Sequence, residues 1–503
     1  MGVNNPEPAY FWDDTTNGWR KAVVGEAGEF VWNDTTNAWE KGAIGAEYVW
    51  NTSTKSWDKG STGGMYKWNS TTDGWDKNTV PGGGQYYWVE GSGWVKNVGF
   101  GWASLPGGNA KAAWDFIANQ ARWNSLSVGA LSSTPGWTFS RASTGYAQTS
   151  AGVLVPFASG ELRRTDKGVL IEGARTNLCL RSQEFDNASW TKVTASVTAN
   201  ATTAPDGTAT ADLLTDDATA GVTHRTSRNF TFSAIQYMLS VYAKPNGRTW
   251  LGLRTPSGTI SSFNLSGAGA VGALNHTSSG IQALANGWYR CWIVWTAGAA
   301  SSAFGFDLQS ADNTSTYNGD GASGIYLWGA QLEAASFPSS YIPTTTASAT
   351  RAADVLTVPV SGLDYPLSLF AEFERAVDTA GSEVICQIQA ANNNDRSTLY
   401  VTSSDLGGSF TFTGGAQVSG HSIAGALAVG TTYKLANRVD TNNTNAARGG
   451  TLGTNDTVCA NPATPTTVRF GSDTSSPSFG YLRRAAIWPR ALTDAELTAV
   501  TGG

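Results

Sequence analysis

Phe30-Val31-Trp32-Asn33-Asp34-Thr35-Thr36-Asn37-Ala38-Trp39-Glu40-Lys41 is the second of five units built to one plan. Each unit has an aromatic residue, one intervening residue, Trp, a polar turn, and then Trp-x-Lys. The pairs Trp12/Trp19, Trp32/Trp39, Trp50/Trp57, Trp68/Trp75 and Trp88/Trp94 recur every 18 to 20 residues and hold ten of the 21 tryptophans. Repetition at so short a period implies a modular array whose units are each too small to fold alone. Asn-Asp-Thr-Thr-Asn supplies Asx and Ser/Thr turns, and Asn17-Gly18 and Asp73-Gly74 tolerate left-handed backbone. Tyr10, Phe30, Tyr48, Tyr66 and Tyr86 stand two residues before the first Trp, so both rings share one face of a strand. Each unit is therefore expected to be a β-hairpin carrying a cross-strand Trp pair. An isolated hairpin is marginal in water, so the rings serve as the core of the array. Flat platforms for sugar rings are the alternative use, and membrane contact a third.

Composition bounds the remainder. A chain of 503 residues accommodates several domains, and 41% hydrophobic content is enough to fill their cores. Gly is abundant, only 14% of residues are charged, and the net charge is −6. No basic stripe is present, which argues against nucleic acid as a partner. No apolar run is long enough to span a bilayer, and the first residues carry no secretory pattern, so folding in a cytoplasm is expected. Cys179, Cys291, Cys386 and Cys459 are scattered without a CxxC, which favours buried free thiols.

The reading beyond the repeats is mainly β. Residues 1–100 are the Trp-rich hairpins, 101–180 a junction, 181–345 a jelly-roll sandwich and 346–503 a second antiparallel sandwich. The junction includes one expected helix, residues 111–123, in which Trp114, Ile117, Ala118 and Ala121 recur at helical spacing. Strand-like runs such as Tyr237-Met-Leu-Ser-Val-Tyr-Ala243 and Trp288-Tyr-Arg-Cys-Trp-Ile-Val-Trp295 fill the first sandwich. In the second, Leu367, Leu369, Ala371 and Phe373 share a face, and Thr493-Asp494-Ala495-Glu496 has a capping-box pattern.

Several segments carry a resemblance. Phe139-Ser-Arg-Ala-Ser-Thr-Gly145, Gly152-Val-Leu154, Gly168-Val-Leu-Ile-Glu-Gly-Ala-Arg-Thr-Asn-Leu178, Arg181-Ser-Gln-Glu-Phe-Asp-Asn-Ala-Ser-Trp190 and Ala204-Pro-Asp-Gly207 resemble a series common in bacteriophage virion proteins. Trp328-Gly-Ala-Gln-Leu-Glu333, Ser340-Tyr-Ile-Pro-Thr344 and Thr350-Arg-Ala-Ala-Asp354 are similar to the close of phage jelly rolls of the carbohydrate-binding-module type. Arg469-Phe-Gly-Ser472, Gly480-Tyr-Leu-Arg-Arg-Ala-Ala-Ile-Trp-Pro-Arg490 and Leu492-Thr-Asp-Ala-Glu-Leu497 resemble the end of a concanavalin A/laminin-G-like sandwich. The resemblance covers roughly residues 139–503, the Trp repeats lying outside it. It implies a tail fibre, spike or related virion-surface protein that adsorbs to a host glycan. A homo-oligomer, most simply a trimer, in contact with other virion proteins is implied as well. A head-fibre or collar component without a ligand, and a polysaccharide-degrading tailspike, are the alternatives.

Sugar recognition needs an aromatic plane for the C–H face and fixed polar groups for the hydroxyls. Trp250 with Arg248 and Arg254 forms one candidate cluster. Trp288 and Trp292 form another, with Trp295 on the opposite face. Asn393 and Asp395, in the polar run 391–396, suggest an edge site. Core packing for the rings and solvated turns for the loop are the plainer readings. No catalytic residue is assigned: Glu172, Glu184, Glu333, Glu372 and Glu374 are available as carboxylates, but spacing pairs none of them. Glu172 and Glu333 are read as hydrogen-bonding to turns. No metal site or cofactor is expected, Ca²⁺ on the loop from Asp312 to Asp320 being the one weak possibility.

Overall fold

The computed structural model describes residues 110, 112–123, 129–131, 136–379, 381–471 and 479–502, together with ten short strands between residues 10 and 96. The chain divides into two compact units, Met1–Asn97 and Val98–Gly503.

The ten strands of the first unit form the five expected hairpins. Tyr10–Asp13 pairs with Gly18–Lys21, Phe30–Asn33 with Ala38–Lys41, Tyr48–Asn51 with Ser56–Lys59, Tyr66–Asn69 with Gly74–Lys77, and Tyr86–Val89 with Gly93–Lys96. In all five the first Trp stands directly opposite the second: Trp12 faces Trp19, Trp32 faces Trp39, Trp50 faces Trp57, Trp68 faces Trp75 and Trp88 faces Trp94. The rings themselves lie outside the described residues.

The second unit holds two antiparallel β-sandwiches, one inserted into the other. The inserted jelly roll packs a sheet containing Val222–Phe232, Ala300–Gln309, Trp250–Arg254 and Ile260–Asn264 against one containing Ala211–Asp216, Gly324–Glu333, Gln236–Asn246, Tyr289–Thr296 and Ser278–Ala283. Alternation along the strands sends Leu251, Leu253, Phe304, Phe306, Leu239, Val241, Ile293 and Trp295 into the core between the sheets. The strands Arg175–Asn177 and Ala349–Arg351, where the chain enters and leaves this sandwich, pair with each other. Beside them Asn177, fully buried, uses its whole amide. Its Nδ2 donates to Ala330 O (3.1 Å) and Ile342 O (2.8 Å), and its Oδ1 accepts from Cys179 N and Leu332 N.

The other sandwich draws strands from both sides of that insertion. Phe479–Trp488 is its central strand. One edge pairs with Leu367–Arg375, and the other is shared end to end by Ala112–Asp115 and Gly168–Glu172. Thr138–Ser140 joins the facing sheet through Val355–Pro359. The pairing therefore places several strands of the expected 101–180 junction inside the C-terminal sandwich.

The expected helix over 111–123 is instead a strand pair, Ala112–Asp115 with Gln120–Trp123. The turn between them is closed by Ala118 N donating to Asp115 Oδ1 (2.9 Å) and by Asn119 at φ +57°. The strand Ala112–Asp115 is buried on both faces, a setting that erases the period-two signal. Trp114 enters the core between the sheets, and Ala113 packs with the residues under the C-terminal helix. That helix, Asp494–Thr501, starts with the expected capping box between Thr493 and Glu496. The four cysteines are free and buried. Among the described residues no helix is long and apolar enough to cross a membrane.

Candidate functional site

A cleft of about 620 Å³ lies between the two sandwiches. One wall is the outer face of the jelly-roll sheet at Tyr289–Thr296 and Ser278–Ala283, and residues of the C-terminal sandwich, including Glu374 and Tyr481, form the opposite wall. The hairpin made by Gly145–Gln148 and Leu154–Phe157 lies between them. Its Gln148 N donates to Tyr481 Oη (2.9 Å), and Tyr481 Oη donates to Gln148 O (3.0 Å), tying the hairpin to the second sandwich. Tyr146 packs on the other side, with Tyr341 (5.4 Å) and Trp328 (6.4 Å between ring centres).

Strand alternation decides what the jelly roll presents to the cleft. Cys291, Ile293 and Trp295 point into the core, so Arg290 and Trp292 point out. Trp292 stands opposite Gly280 on the neighbouring strand. A Cβ at position 280 would come within 2.1 Å of Trp292 Cζ2, so the indole rests directly on the glycine backbone. Trp292 is half-buried and borders the cleft, so part of the ring stays available to a ligand.

Arg290, two residues before Trp292 on the same face, is 9% exposed. Its Nη2 donates to Ser339 O (2.7 Å) and Ser240 Oγ (3.1 Å), and the guanidinium lies 5.3 Å from the centre of the Tyr242 ring. Its Nε is buried without a partner. Among the described residues no carboxylate stands within ion-pair distance of Arg290. The nearby Glu333 is turned to Ser339, whose N donates at 3.1 Å and Oγ at 2.5 Å. Burial pushes the Glu333 carboxyl up despite those bonds.

Beneath the cleft the quoted motifs meet in one buried ion network. Arg163 Nη1 donates to Glu172 Oε2 (2.6 Å), Ser340 Oγ (2.9 Å) and Tyr146 O (2.8 Å), and its Nη2 pairs with Asp354. Asp354 also takes Arg141 Nη1 at 3.1 Å and the backbone N–H of Glu172 at 2.9 Å. Arg351 approaches Glu172 at 3.5 Å. Glu172 receives Ser340 N and Oγ as well. Burial alone would raise its carboxyl, but the Arg351 and Arg163 guanidiniums outweigh that and bring it down to about 2. Glu333 and Glu161 act at longer range on Arg351 and Arg141, so further carboxylates surround the three guanidiniums. The turn-bonding reading of Glu172 and Glu333 thus agrees with their partners at 339 and 340.

No family model matches the chain, and no curated protein matches it. Among solved structures, it is similar to the CBM40 of a Ruminococcus gnavus sialidase at 17% identity, covering 27% of this chain and 83% of that one with a TM-score of 0.24. It is similar to domain 4 of an extracellular arabinanase from Geobacillus stearothermophilus at 14% identity, covering 32% and 80% with a TM-score of 0.25. It is similar also to domains LG4-5 of the mouse laminin alpha1 chain at 12% identity, covering 55% and 92% with a TM-score of 0.21. Scores and identities this low assign no function.

The sequence-derived candidates separate in space. Trp292 lies in the cleft. Trp288 shares its face, as expected, but is 1% exposed, and its Nε1 donates to Thr203 O (3.2 Å). It belongs to a buried cluster with Tyr242, Trp328 and Tyr341, so its ring cannot serve as an open platform. Trp250, Arg248 and Arg254 sit on the other jelly-roll sheet or at its edge. Arg248 is held by Asp216 (2.8 Å) and Asp320 (3.2 Å), while Arg254 grips Asp307. Arg248 precedes the strand Trp250–Arg254 and Arg254 ends it, and each arginine is held by its own aspartates. Asn393 Oδ1 accepts from Gln387 Nε2 (2.8 Å), and Asp395 Oδ1 accepts from Gly414 N (3.1 Å) and Ala463 N (3.2 Å), so both fix turns. On the 312–320 loop, Asp312 caps Ala273 N (2.8 Å) and Asp320 caps Ala322 N (2.9 Å) and Ser323 N (2.6 Å). The carboxylates bordering the cleft already hold cations: Glu172 as above, Glu374 with Lys167 (2.6 Å) and Asp378 with Arg375 (3.4 Å). Arg290 went unnoticed in the sequence, although its place two residues from Trp292 is the signal that could have found it.

Proposed function

We propose that the protein binds saccharide in the cleft between its sandwiches, as a virion-surface component of tail-fibre or spike type that adsorbs a bacteriophage to host glycan. The observation that carries this reading is Trp292, seated on Gly280 and bordering a cleft of about 620 Å³, within the size range of small-ligand sites. An indole supplies the apolar plane a sugar ring stacks on, and nearby amides and hydroxyls such as Gln282 and Ser278 suit its hydroxyls. The virion role rests on the motif series, whose Arg141, Glu172, Arg351 and Asp354 meet around Arg163 at the joint behind the cleft. In this reading the hairpin array attaches the protein to the particle, and a homotrimer multiplies weak single sites. Its setting is the virion surface, after folding in the host cytoplasm.

Binding of the full-length protein to host cells and to an array of their surface glycans tests the reading. Binding that falls at least tenfold on Trp292→Ala is expected. A native protein that binds neither cells nor glycans refutes it and leaves a structural virion component. Reducing-sugar release from host polysaccharide would show a depolymerase instead. Deletion of Met1–Asn97 is expected to prevent incorporation into particles, and normal incorporation would refute the attachment role.

A further inference from the structure

We propose that the saccharide bound in this cleft is acidic, and that a sugar carboxylate is received by Arg290 while Trp292 stacks on the ring that carries it. The inference rests on the cleft being the saccharide site and adds the ligand's chemical class. Arg290 is more than nine-tenths buried, borders the cleft, and has no ion pair among the described residues. Its hydrogen bonds are the two on Nη2, to Ser339 O and Ser240 Oγ, and these hold the guanidinium plane in place. Nε stays buried and unpartnered. A buried guanidinium is normally paired, because withdrawing its charge from water is costly unless a counter-charge arrives. The other cations bordering or backing the cleft have their anions. Lys167 has Glu374, Arg375 has Glu383 (3.0 Å) and Asp405 (2.8 Å), and Arg163 has Glu172 and Asp354. Arg290 is the exception: Glu333 acts on it only from beyond ion-pair distance, its carboxylate being turned to Ser339.

The geometry also suits a sugar acid. Arg290 and Trp292 are separated by two residues of one strand, about 7 Å, roughly the width of a pyranose ring with its substituent. A carboxylate attached to a ring lying on the indole therefore comes within reach of the guanidinium. An Arg–carboxylate bond is charge-assisted and directional, so it selects the charged sugar over a neutral one of the same shape.

The test is calorimetric titration of the full-length protein with a galacturonic acid trisaccharide and with sialyllactose, each against its methyl ester. The esters keep the shape and lose the charge, so the comparison needs no change to the protein. At least one acid is expected to bind ten or more times tighter than its ester. Arg290→Gln should remove that preference, Arg290→Lys should keep part of it, and Trp292→Ala should weaken acid and ester alike. Esters or neutral host glycans that bind as well as the acids, with loss on Trp292→Ala but none on Arg290→Gln, would overturn the acidic ligand and leave the saccharide cleft standing. Failure of every saccharide, acidic and neutral, would overturn both.

Discussion

Trp292 lies against the backbone of Gly280, its register partner across the strand pair, so closely that no side chain fits at position 280. The glycine lets the indole lie down along the sheet, and a flat, partly open ring is what a sugar face requires. Gly280→Ala should lift or tilt the ring. Overpacking of this kind costs about 1–3 kcal/mol, readable as a lowered unfolding midpoint, and saccharide affinity should fall with it. Unchanged stability and affinity would show that the contact is incidental.

The joint between the sandwiches depends on Asp354, which takes Arg141, Arg163 and the Glu172 N–H together. Asp354→Asn leaves buried guanidiniums short of a counter-charge, a change that typically costs about 3–5 kcal/mol. Denaturant unfolding should register that loss, whereas Asp395→Asn, in an exposed turn of the second sandwich, should change stability by far less.

Acid should act on the same joint. Glu172 titrates at about 2 in the folded protein, whereas an unfolded Glu titrates near ~4.3. A depressed carboxylate stabilises above the unfolded value, and its contribution disappears as pH falls from roughly 4.3 towards 2. The amount is on the order of 3 kcal/mol. Glu172→Gln should therefore be much less stable than the native chain at pH 7, with the gap closing across that window. A gap that persists unchanged at pH 2 would mean that the charge of Glu172 contributes little.

The thiols give a simple solution test. Burial pushes Cys179 and Cys386 up to about 12 and raises Cys291 further from its ordinary range. A buried, protonated thiol is a poor nucleophile. An aromatic disulfide reagent at pH 8 should react slowly with native protein and titrate four thiols once it is unfolded. Rapid labelling of the native chain would contradict the burial.

Legibility in the sequence followed the range of the contacts. The hairpins were legible because register, turn and Trp pairing all fall within one short unit. The helix expected over 111–123 failed because Ala112–Asp115 is buried on both faces between Gln120–Trp123 and Phe479–Trp488. Its apolar spacing then fits helix and strand alike. The insertion of one sandwich into the other was hidden for a related reason. The partners of Ala112–Asp115 and Gly168–Glu172 lie more than 300 residues away on Phe479–Trp488, and no local pattern records such pairing. Alternation did place Trp288 and Trp292 on one face, but only the packing of Tyr242, Trp328 and Tyr341 shows which ring is covered. The motif carboxylates Glu172 and Glu333 are legible as turn partners, while the arginines of the network around Glu172 and Asp354 come from three separated segments, at 141, 163 and 351.

The most direct test of the account is a titration of full-length protein with glycans of its host, comparing the native chain with Trp292→Ala. The account predicts saturable binding to the native protein and a loss of at least tenfold on substitution, with the fold unchanged by circular dichroism. Equal binding by both proteins would place the saccharide elsewhere and contradict the cleft.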